Sequence, residues 1–300
     1  MKTKILFALI ICFSLVISGC SQTPQEDTKG EVVIGSKLFQ ESYIMAHMLG
    51  IILDDAGYDV EVREGLGGTF VNYEALKKGE INTYVEYTGT AYSQILKKPS
   101  LDTWDSQTIY NETATGFVQE NITIATSLGF ENAYALAVKE SWAEENGVTT
   151  ISDLGPHASE MVIGTDPEFA KREDGLPHIK DVYDIEFKEY KQTVSNIMYE
   201  SIKNGDVDAV SAYTTDTRNE IFDLRVLEDD QNALPPYDAI VIVTDEFAAN
   251  NPDAIEAIQQ LNDRIDTDTM RQLNYKFDVE KMDAEVIAQD FLVQEGLITE

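Results

Sequence analysis

Short apolar segments alternate with helix-forming segments from Val32 onward. The apolar segments predict strands over residues 32–35, 59–63, 83–87, 161–164, 185–190 and 209–212. Helices are predicted over residues 42–56, 69–78, 194–203 and 253–274. Because such alternation favours largely parallel sheets with helices on both faces, the pattern predicts an α/β fold.

Two parts of the chain repeat one another at a nearly constant spacing. The matching positions are 33–37 with 162–166, 73–82 with 199–208, and Tyr87 with Tyr213. The second pair of segments has, in each copy, a helix end closed by glycine and followed by an apolar strand. The repeat therefore predicts two similar α/β lobes.

The helical tail from Asp253 onward has no counterpart in the repeat, and we expect it to pack on the first lobe. The chain would then cross between the lobes twice, near residues 125–134 and near residues 235–243, and two crossings form a hinge that suits closure around a ligand. Ligands collect at the carboxyl ends of such strands, so a cleft between the lobes is the predicted site. The predicted lobes are residues 31–131 plus 236–300 and residues 132–235.

The N-terminal segment has the pattern of an export signal followed by a tether. Two lysines precede an apolar run over residues 5–17, which is too short to span a bilayer. The sequence Ser18-Gly19-Cys20 then resembles a bacterial lipobox, so residues 1–19 are a predicted signal peptide and Cys20 is the predicted lipidation site. Residues 20–30 predict a flexible tether that holds the protein at the outer face of the cell membrane. The alternative is an ordinary signal peptide with an unmodified cysteine.

The composition argues against several classes of function. The net charge is −32, with 54 acidic against 22 basic residues, and such a surface repels nucleic acid. A soluble, salt-tolerant exterior is the simplest explanation of the acidity. The three histidines are far apart, which gives no zinc spacing, and the glycine-rich segment 65–69 lacks the ending of a phosphate loop. We therefore expect neither a metal nor a cofactor.

Four tyrosines fall in loops or at strand ends: Tyr87, Tyr134, Tyr213 and Tyr237. A tyrosine ring has a negative π-face, and several faces around one pocket attract a cation. A quaternary ammonium suits such a box because it has no N–H group that needs a hydrogen-bond acceptor. Taken singly, each of these tyrosines could equally be a core or surface residue.

Six segments, in one order, resemble the substrate-binding proteins for glycine betaine, carnitine and choline that serve ABC importers. They are Gly35-Ser36-Lys37, Glu86-Tyr87-Thr88-Gly89-Thr90, Asn132-Ala133-Tyr134-Ala135-Leu136, Lys171-Arg172-Glu173-Asp174-Gly175-Leu176, Ala212-Tyr213-Thr214-Thr215-Asp216 and Pro235-Pro236-Tyr237. The resemblance runs from about Val32 to the C-terminus. It implies a two-lobed, type II periplasmic-binding-protein fold with a hinge and an interdomain ligand cleft.

The resemblance also implies roles for individual residues. Tyr87, Tyr134, Tyr213 and Tyr237 would form a box around a trimethylammonium group. Lys37, Thr90 and Arg172 would hold the ligand carboxylate, and the backbone carbonyl of Asn132 would face the cation. The implied protein is a monomeric, extracytoplasmic receptor, not an enzyme. It passes a quaternary amine, glycine betaine first, to a membrane permease powered by a cytoplasmic ATPase.

Other interpretations stay open from the sequence. The ligand could be choline or carnitine, because the family contains receptors for each. A receptor for amino acids or another small cation would place carboxylates in the cleft in place of the tyrosine box. A secreted hydrolase would use cleft carboxylates for turnover, and a purely structural surface lipoprotein would bind no ligand saturably.

Overall fold

The computed structural model describes residues 28–99, 101 and 104–299. The predicted signal peptide (1–19), Cys20 and most of the predicted tether (20–30) lie outside the described residues. Within the described part of the chain, every helix is too short or too polar to cross a bilayer.

The described strands form two five-stranded sheets. In chain order they are β1 (Glu31–Gly35), β2 (Asp59–Arg63), β3 (Thr83–Tyr87), β4 (Ile122–Glu131), β5 (Tyr134–Lys139), β6 (Val162–Thr165), β7 (Glu189–Gln192), β8 (Ala209–Tyr213), β9 (Leu224–Val226) and β10 (Asp238–Thr244). The first sheet has the order β2-β1-β3-β10-β4 and the second β7-β6-β8-β5-β9. The two orders are equivalent, which confirms the predicted repeat and the two-lobed α/β fold.

One strand of each sheet runs against the others. β10 is antiparallel to both β3 and β4, and β5 is antiparallel to both β8 and β9. The sequence pattern predicted largely parallel sheets and did not predict these two strands, because both lie where the chain crosses between the lobes. The chain leaves the first sheet at Glu131, enters the second at Tyr134, and returns to the first sheet at Asp238.

The helices are α1 (Gln40–Asp55), α2 (Thr69–Lys77), α3 (Thr88–Thr90), α4 (Ser106–Gln119), α5 (Glu140–Asn146), α6 (Ile151–Ala158), α7 (Leu176–Tyr183), α8 (Ser195–Asn204), α9 (Arg218–Ile221), α10 (Asp245–Asn250), α11 (Pro252–Gln259), α12 (Thr267–Asp278) and α13 (Ala284–Gln294). A π-helical turn, Ala91–Ile95, continues α3. α1, α2 and α8 were predicted to within about two residues.

The prediction of one helix over residues 253–274 is wrong, because the segment holds two helices, α11 and α12. Asp263 adopts a left-handed backbone conformation with a φ of 52°, which an α-helix cannot continue through. Asp266 then caps α12 by accepting a hydrogen bond from the backbone N–H of Thr269 at 2.7 Å. The predicted strand over 185–190 is also displaced, since β7 begins only at Glu189.

The C-terminal helices pack on the first lobe, as predicted. Phe291 and Leu292 of α13 share one buried apolar core with Met48 of α1 and with Ile34 and Val241 of the first sheet. Burial of these apolar side chains is the main contribution that holds the C-terminal helices on the first lobe. The carboxyl ends of β1 and β3 are thereby held at the edge of the lobe that faces the second sheet.

Candidate functional site

A cavity of about 540 Å³ lies between the two lobes. Its walls come from residues of both sheets and of the crossing segments. All eight residues that the sequence assigned to the site line this cavity: Lys37, Tyr87, Thr90, Asn132, Tyr134, Arg172, Tyr213 and Tyr237. Segments that are far apart in the sequence therefore converge on one space.

The repeat explains how two of the tyrosines reach the cavity. Tyr87 ends β3 and Tyr213 ends β8, which hold equivalent positions in the two sheets. Tyr134 pairs directly with Tyr213 where β5 runs against β8. Tyr237 stands just before β10, and α3 approaches it closely at Gly89. A Cβ on Gly89 would come within 2.5 Å of the Pro236 carbonyl oxygen and 3.1 Å of the Tyr237 ring.

Three of the predicted tyrosines form one cluster. The ring centroid of Tyr134 lies 5.1 Å from that of Tyr213 and 5.5 Å from that of Tyr237. The Tyr134 and Tyr237 rings are nearly perpendicular, at 78°. Phe169 stacks on Tyr134 with centroids 4.8 Å apart and is itself fully buried. The three rings are thus fixed as adjacent walls by packing.

Burial keeps the hydroxyl groups of this cluster protonated. Desolvation is the largest effect on Tyr134, Tyr213 and Tyr237, and it raises the pKa of each phenol above its ordinary value. The phenols therefore stay neutral at physiological pH. Neutral rings in a water-poor setting present their π-faces to a cation without a competing full charge of their own.

Tyr87 stands apart from the other three tyrosines and is held by a carboxylate. Its hydroxyl donates a hydrogen bond of 2.5 Å to Oε1 of Glu41. Burial, with Glu41 beside it, raises the pKa of Tyr87 well above its ordinary value. Its ring lies 6.4 Å from that of Phe39 and 5.1 Å from the Nζ of Lys37. Tyr87 therefore forms a separate wall on the first-lobe side.

Lys37 is paired within the protein. Its ammonium forms a buried ion pair with Glu86, whose carboxylate also accepts hydrogen bonds from the Tyr84 hydroxyl at 3.1 Å and the Tyr87 backbone N–H at 2.8 Å. Lys37 is 7% exposed and Glu86 is fully buried. The pair places a positive charge at the cavity wall while its counter-charge lies behind it.

Arg172 is also paired, and it contacts both lobes. Its Nε and Nη2 donate to the two carboxylate oxygens of Asp174 at 2.9 and 2.7 Å. Nη2 also donates to the Ser93 and Tyr237 hydroxyl oxygens, each at 3.2 Å. The guanidinium carbon lies 5.5 Å from the ring centroids of both Tyr134 and Tyr237. Burial alone would raise the pKa of Asp174. The hydrogen bonds and charge of the Arg172 guanidinium outweigh that effect, so the pKa of Asp174 lies below its ordinary value.

The cavity contains further side chains that the sequence did not indicate. They are Phe39, Glu41, Asp166, Glu168, Asp216, Arg218, Asn274 and Asp278, among others. Arg218 and Asp216 form an ion pair of their own, with Nε to Oδ1 at 2.8 Å. The signal for this pair was available, because the two residues are only two positions apart, where the turn after β8 leads into α9. No sequence signal pointed to Glu41 or Asn274, which meet only through the tertiary fold.

The remaining predicted residues also have defined positions. Thr90 ends α3 and is 6% exposed. Asn132 lies in the crossing segment, where its backbone N–H donates to the Tyr237 carbonyl oxygen at 3.1 Å. Its side chain turns toward Glu41, which the sequence did not predict. Within residues 28–99, 101 and 104–299, no cluster of three His, Cys, Asp or Glu side chains has the geometry of a metal site.

Comparison with known proteins agrees with this geometry. Residues 30–294 match the family model described as the substrate-binding domain of ABC-type glycine betaine transport systems. The carnitine transport binding protein of Listeria monocytogenes is 31% identical over 95% of this chain and 93% of its own. The crystal structure of a glycine betaine/carnitine/choline ABC transporter superposes with a TM-score of 0.78 at 30% identity, covering 89% of this chain and 99% of that one.

A third relative has a longer chain. The ergothioneine transport permease/ergothioneine binding protein of Helicobacter pylori is 31% identical over 89% of this chain, which spans 48% of that protein. The family model covers most of the chain, from residue 30 to residue 294. The chain belongs to the family of substrate-binding domains of ABC-type glycine betaine transport systems.

Proposed function

We propose that this protein is an extracytoplasmic receptor that captures a quaternary-ammonium osmoprotectant and delivers it to an ABC importer. The observation that carries this proposal is the cluster of Tyr134, Tyr213 and Tyr237, with centroid distances of 5.1 and 5.5 Å, in the wall of an interlobe cavity. Each ring contributes roughly 0.5–2 kcal/mol to cation binding, more when dry. Three rings supply a large part of the roughly 8 kcal/mol of a micromolar site.

Glycine betaine is the first candidate ligand because the cavity also carries donors for a carboxylate. Lys37, Thr90 and Arg172 are assigned this role. Arg172 uses Nε and Nη2 to bind Asp174, and its Nη1 has no protein acceptor at hydrogen-bond distance among the described residues. In this proposal, Nη1 is the nitrogen that would bind the ligand carboxylate. Choline and carnitine are the alternatives with the same ammonium group.

Closure of the two lobes would couple binding to delivery. The proposed lobes are residues 31–131 plus 236–300 and residues 132–235, joined at the two crossings. A ligand that touches Tyr87 in one lobe and Tyr213 in the other favours the closed state by its differential contacts. A membrane permease with a cytoplasmic ATPase would then accept the closed, monomeric receptor.

The location and the absence of covalent chemistry belong to the same proposal. Residues 1–19 would be removed as a signal peptide, and Cys20 would carry the lipid that anchors the tether to the outer face of the membrane. A ligand bound by π-faces and paired cations is held without a nucleophile. Turnover of an ester or osmolyte, followed by mass spectrometry, would support the rival hydrolase instead.

The amino-acid receptor is the rival within the same class. An amino-acid receptor would have carboxylates in the cleft in place of the tyrosine box. The cavity wall has tyrosines and carboxylates together, with Glu41, Asp166 and Glu168 beside the tyrosines. The tyrosine cluster itself favours a methylated ammonium over a primary one, because its neutral ring faces attract the cation but give its N–H groups no carboxylate acceptor.

A thermal-shift panel tests the proposal. A ligand that binds only the folded state raises the melting temperature by an amount set by its concentration and affinity. We expect shifts with one or more of glycine betaine, proline betaine, choline, carnitine and ergothioneine, and none with glycine or lysine at equal concentration. A shift with the amino acids alone would overturn the proposal.

A further inference from the structure

A group of hydrogen-bond acceptors lies beside the tyrosine box. Oε1 of Glu41 accepts from Nδ2 of Asn132 at 2.9 Å, and its Oε2 accepts from Nδ2 of Asn274 at 3.1 Å. We call Glu41, Asn132 and Asn274 the acceptor corner. All three residues line the interlobe cavity, and Glu41 and Asn274 are each only 1% exposed.

The hydrogen bonds fix which way the two amides point. Both Nδ2 atoms face the Glu41 carboxylate, and that of Asn274 also donates to the Thr215 carbonyl oxygen at 3.1 Å. Rotating either amide would set its oxygen against the carboxylate, which is unfavourable. The two Oδ1 atoms are therefore left as acceptors, and both are buried without a hydrogen-bond partner.

Unpartnered buried acceptors are rare in folded proteins because each costs free energy. Asn72 and Asn219 also have an unpartnered Oδ1, but neither lines the cavity. The corner differs because it joins two such oxygens to a buried carboxylate at a ligand cavity. Glu41 has no Lys, Arg or His partner within ion-pair distance in the described part of the chain. Glu41 already accepts hydrogen bonds from Tyr87, Asn132 and Asn274, so the two amide oxygens are the acceptors of this corner that lack a donor. A donor from the ligand would satisfy them.

We propose that the acceptor corner is a second subsite that binds a hydroxyl or N–H group of the ligand whose quaternary ammonium lies among the tyrosines. The inference deepens the proposed function and rests on it. The class of ligand is then a quaternary amine with a hydrogen-bond donor, such as choline, carnitine or an N–H-bearing betaine. Glycine betaine has no such donor, so this subsite ranks choline and carnitine above glycine betaine, which the carboxylate donors taken alone would favour.

Specificity follows from the chemistry of the corner. A site built to hydrogen-bond a ligand hydroxyl rejects the analogue that lacks it, because its own polar atoms are then left unpaired. A cavity of about 540 Å³ falls within the range of roughly 300–1,000 Å³ that holds ligands of drug size, so it has room for a ligand longer than glycine betaine.

Matched ligand pairs test the subsite by titration calorimetry with the full folded receptor. Choline and propyltrimethylammonium have the same charge and nearly the same shape, but the second has a methyl group in place of the hydroxyl. L-Carnitine and γ-butyrobetaine form a second pair, which differ by one hydroxyl along an equal chain. We expect the hydroxylated member of at least one pair to bind about tenfold or more tightly.

Two variants locate the effect. Asn274→Leu and Glu41→Gln should each reduce the preference for the hydroxylated member, while propyltrimethylammonium keeps its affinity within about threefold. Glu74→Gln, at an exposed carboxylate of α2, is the matched control and should leave the preference unchanged. If a variant does not fold, the wild-type ratio and a crystal structure with choline still decide the matter.

The outcomes separate the two proposals. Equal affinity within both pairs would overturn the subsite and leave the tyrosine box in place. A preference that survives in both variants, or a choline hydroxyl bound elsewhere in the crystal, would overturn it as well. If no quaternary amine binds at millimolar concentration, the proposed function itself fails, and the subsite fails with it.

Discussion

Arg172 of the second lobe donates a hydrogen bond from Nη2 to the hydroxyl oxygen of Ser93 in the first lobe, at 3.2 Å. The same nitrogen donates to Tyr237, which stands at the start of the return crossing. One guanidinium therefore joins both lobes and the hinge. This contact belongs to a closed arrangement, since opening the cleft would separate Arg172 from Ser93.

Replacing Ser93 by alanine should weaken binding without changing selectivity. The variant loses one cross-cleft hydrogen bond to a charged group, so the closed state is less favoured by about 1 kcal/mol. We expect the dissociation constants for choline and glycine betaine to rise by the same factor, about two- to tenfold. Ser201→Ala, at a half-buried serine of α8, is the control. Unequal losses for the two ligands would mean that Ser93 acts on the ligand itself.

Replacing Arg172 should affect carboxylate ligands most. Arg172→Ala should weaken glycine betaine more than choline, because choline has no carboxylate. The single variant leaves the buried Asp174 without its partner, which is costly. The double variant Arg172→Met with Asp174→Asn removes both charges and is the cleaner test. Calorimetry that gives equal losses for the two ligands would remove Arg172 from the carboxylate site.

The Tyr213 ring should matter more than its hydroxyl. Tyr213→Leu removes a π-face, so choline affinity should fall about tenfold, which corresponds to roughly 1.4 kcal/mol. Tyr213→Phe retains the face and should lose much less. The two variants are compared by calorimetry with choline. A larger loss in the phenylalanine variant would assign the effect to hydrogen bonding in place of the ring.

The buried Glu41 should make stability depend on pH. Burial raises the pKa of Glu41 above its ordinary value, so the folded protein holds this proton more tightly than the unfolded chain does. As the pH rises from the pKa of Glu41 in the unfolded chain to its higher pKa in the folded protein, the free energy of unfolding therefore falls. Above the folded-state pKa, the full cost of burying the ionised carboxylate is present. Tyr87, Asn132 and Asn274 contact the carboxylate but carry no positive charge.

Glu41→Gln should accordingly stabilise the ligand-free protein at neutral pH. We expect a gain of at least about 1 kcal/mol at pH 7, on the order of the cost of an unsatisfied buried group. The gain should shrink as the pH falls below the raised pKa, because the wild-type carboxyl is then protonated in the folded state. Melting temperatures at several pH values, with Glu74→Gln as control, measure this. A gain that is independent of pH would contradict the account.

The alternation of strands and helices predicted the architecture because each lobe is built mostly from local βα units. The crossing strands escaped prediction for the opposite reason. β10 pairs with β3 and β4, so its place in the first sheet depends on partners more than a hundred residues earlier, for example Ile240 opposite Glu86. Its apolar sequence was visible, but its neighbours and direction were not.

The cavity lining was predicted in part for similar reasons. The residues carried by motifs, such as Lys37 and Tyr213, could be named from short segments and their order. The pairing of Arg172 with Asp174 joins positions two residues apart and could have been expected from spacing alone. The bond of Glu41 to Asn274 joins positions 233 residues apart, and it exists only because α12 packs against α1. No local pattern encodes such a contact.

One comparison tests most directly whether the cleft recognises a methylated cation. Choline and 3,3-dimethyl-1-butanol have nearly the same shape, but the second has a neutral carbon where choline has its charged nitrogen. Titration calorimetry should show saturable choline binding and an affinity for the alcohol at least about tenfold weaker, because only the cation gains from the π-faces. Equal affinities, or no choline binding at millimolar concentration, would contradict the account.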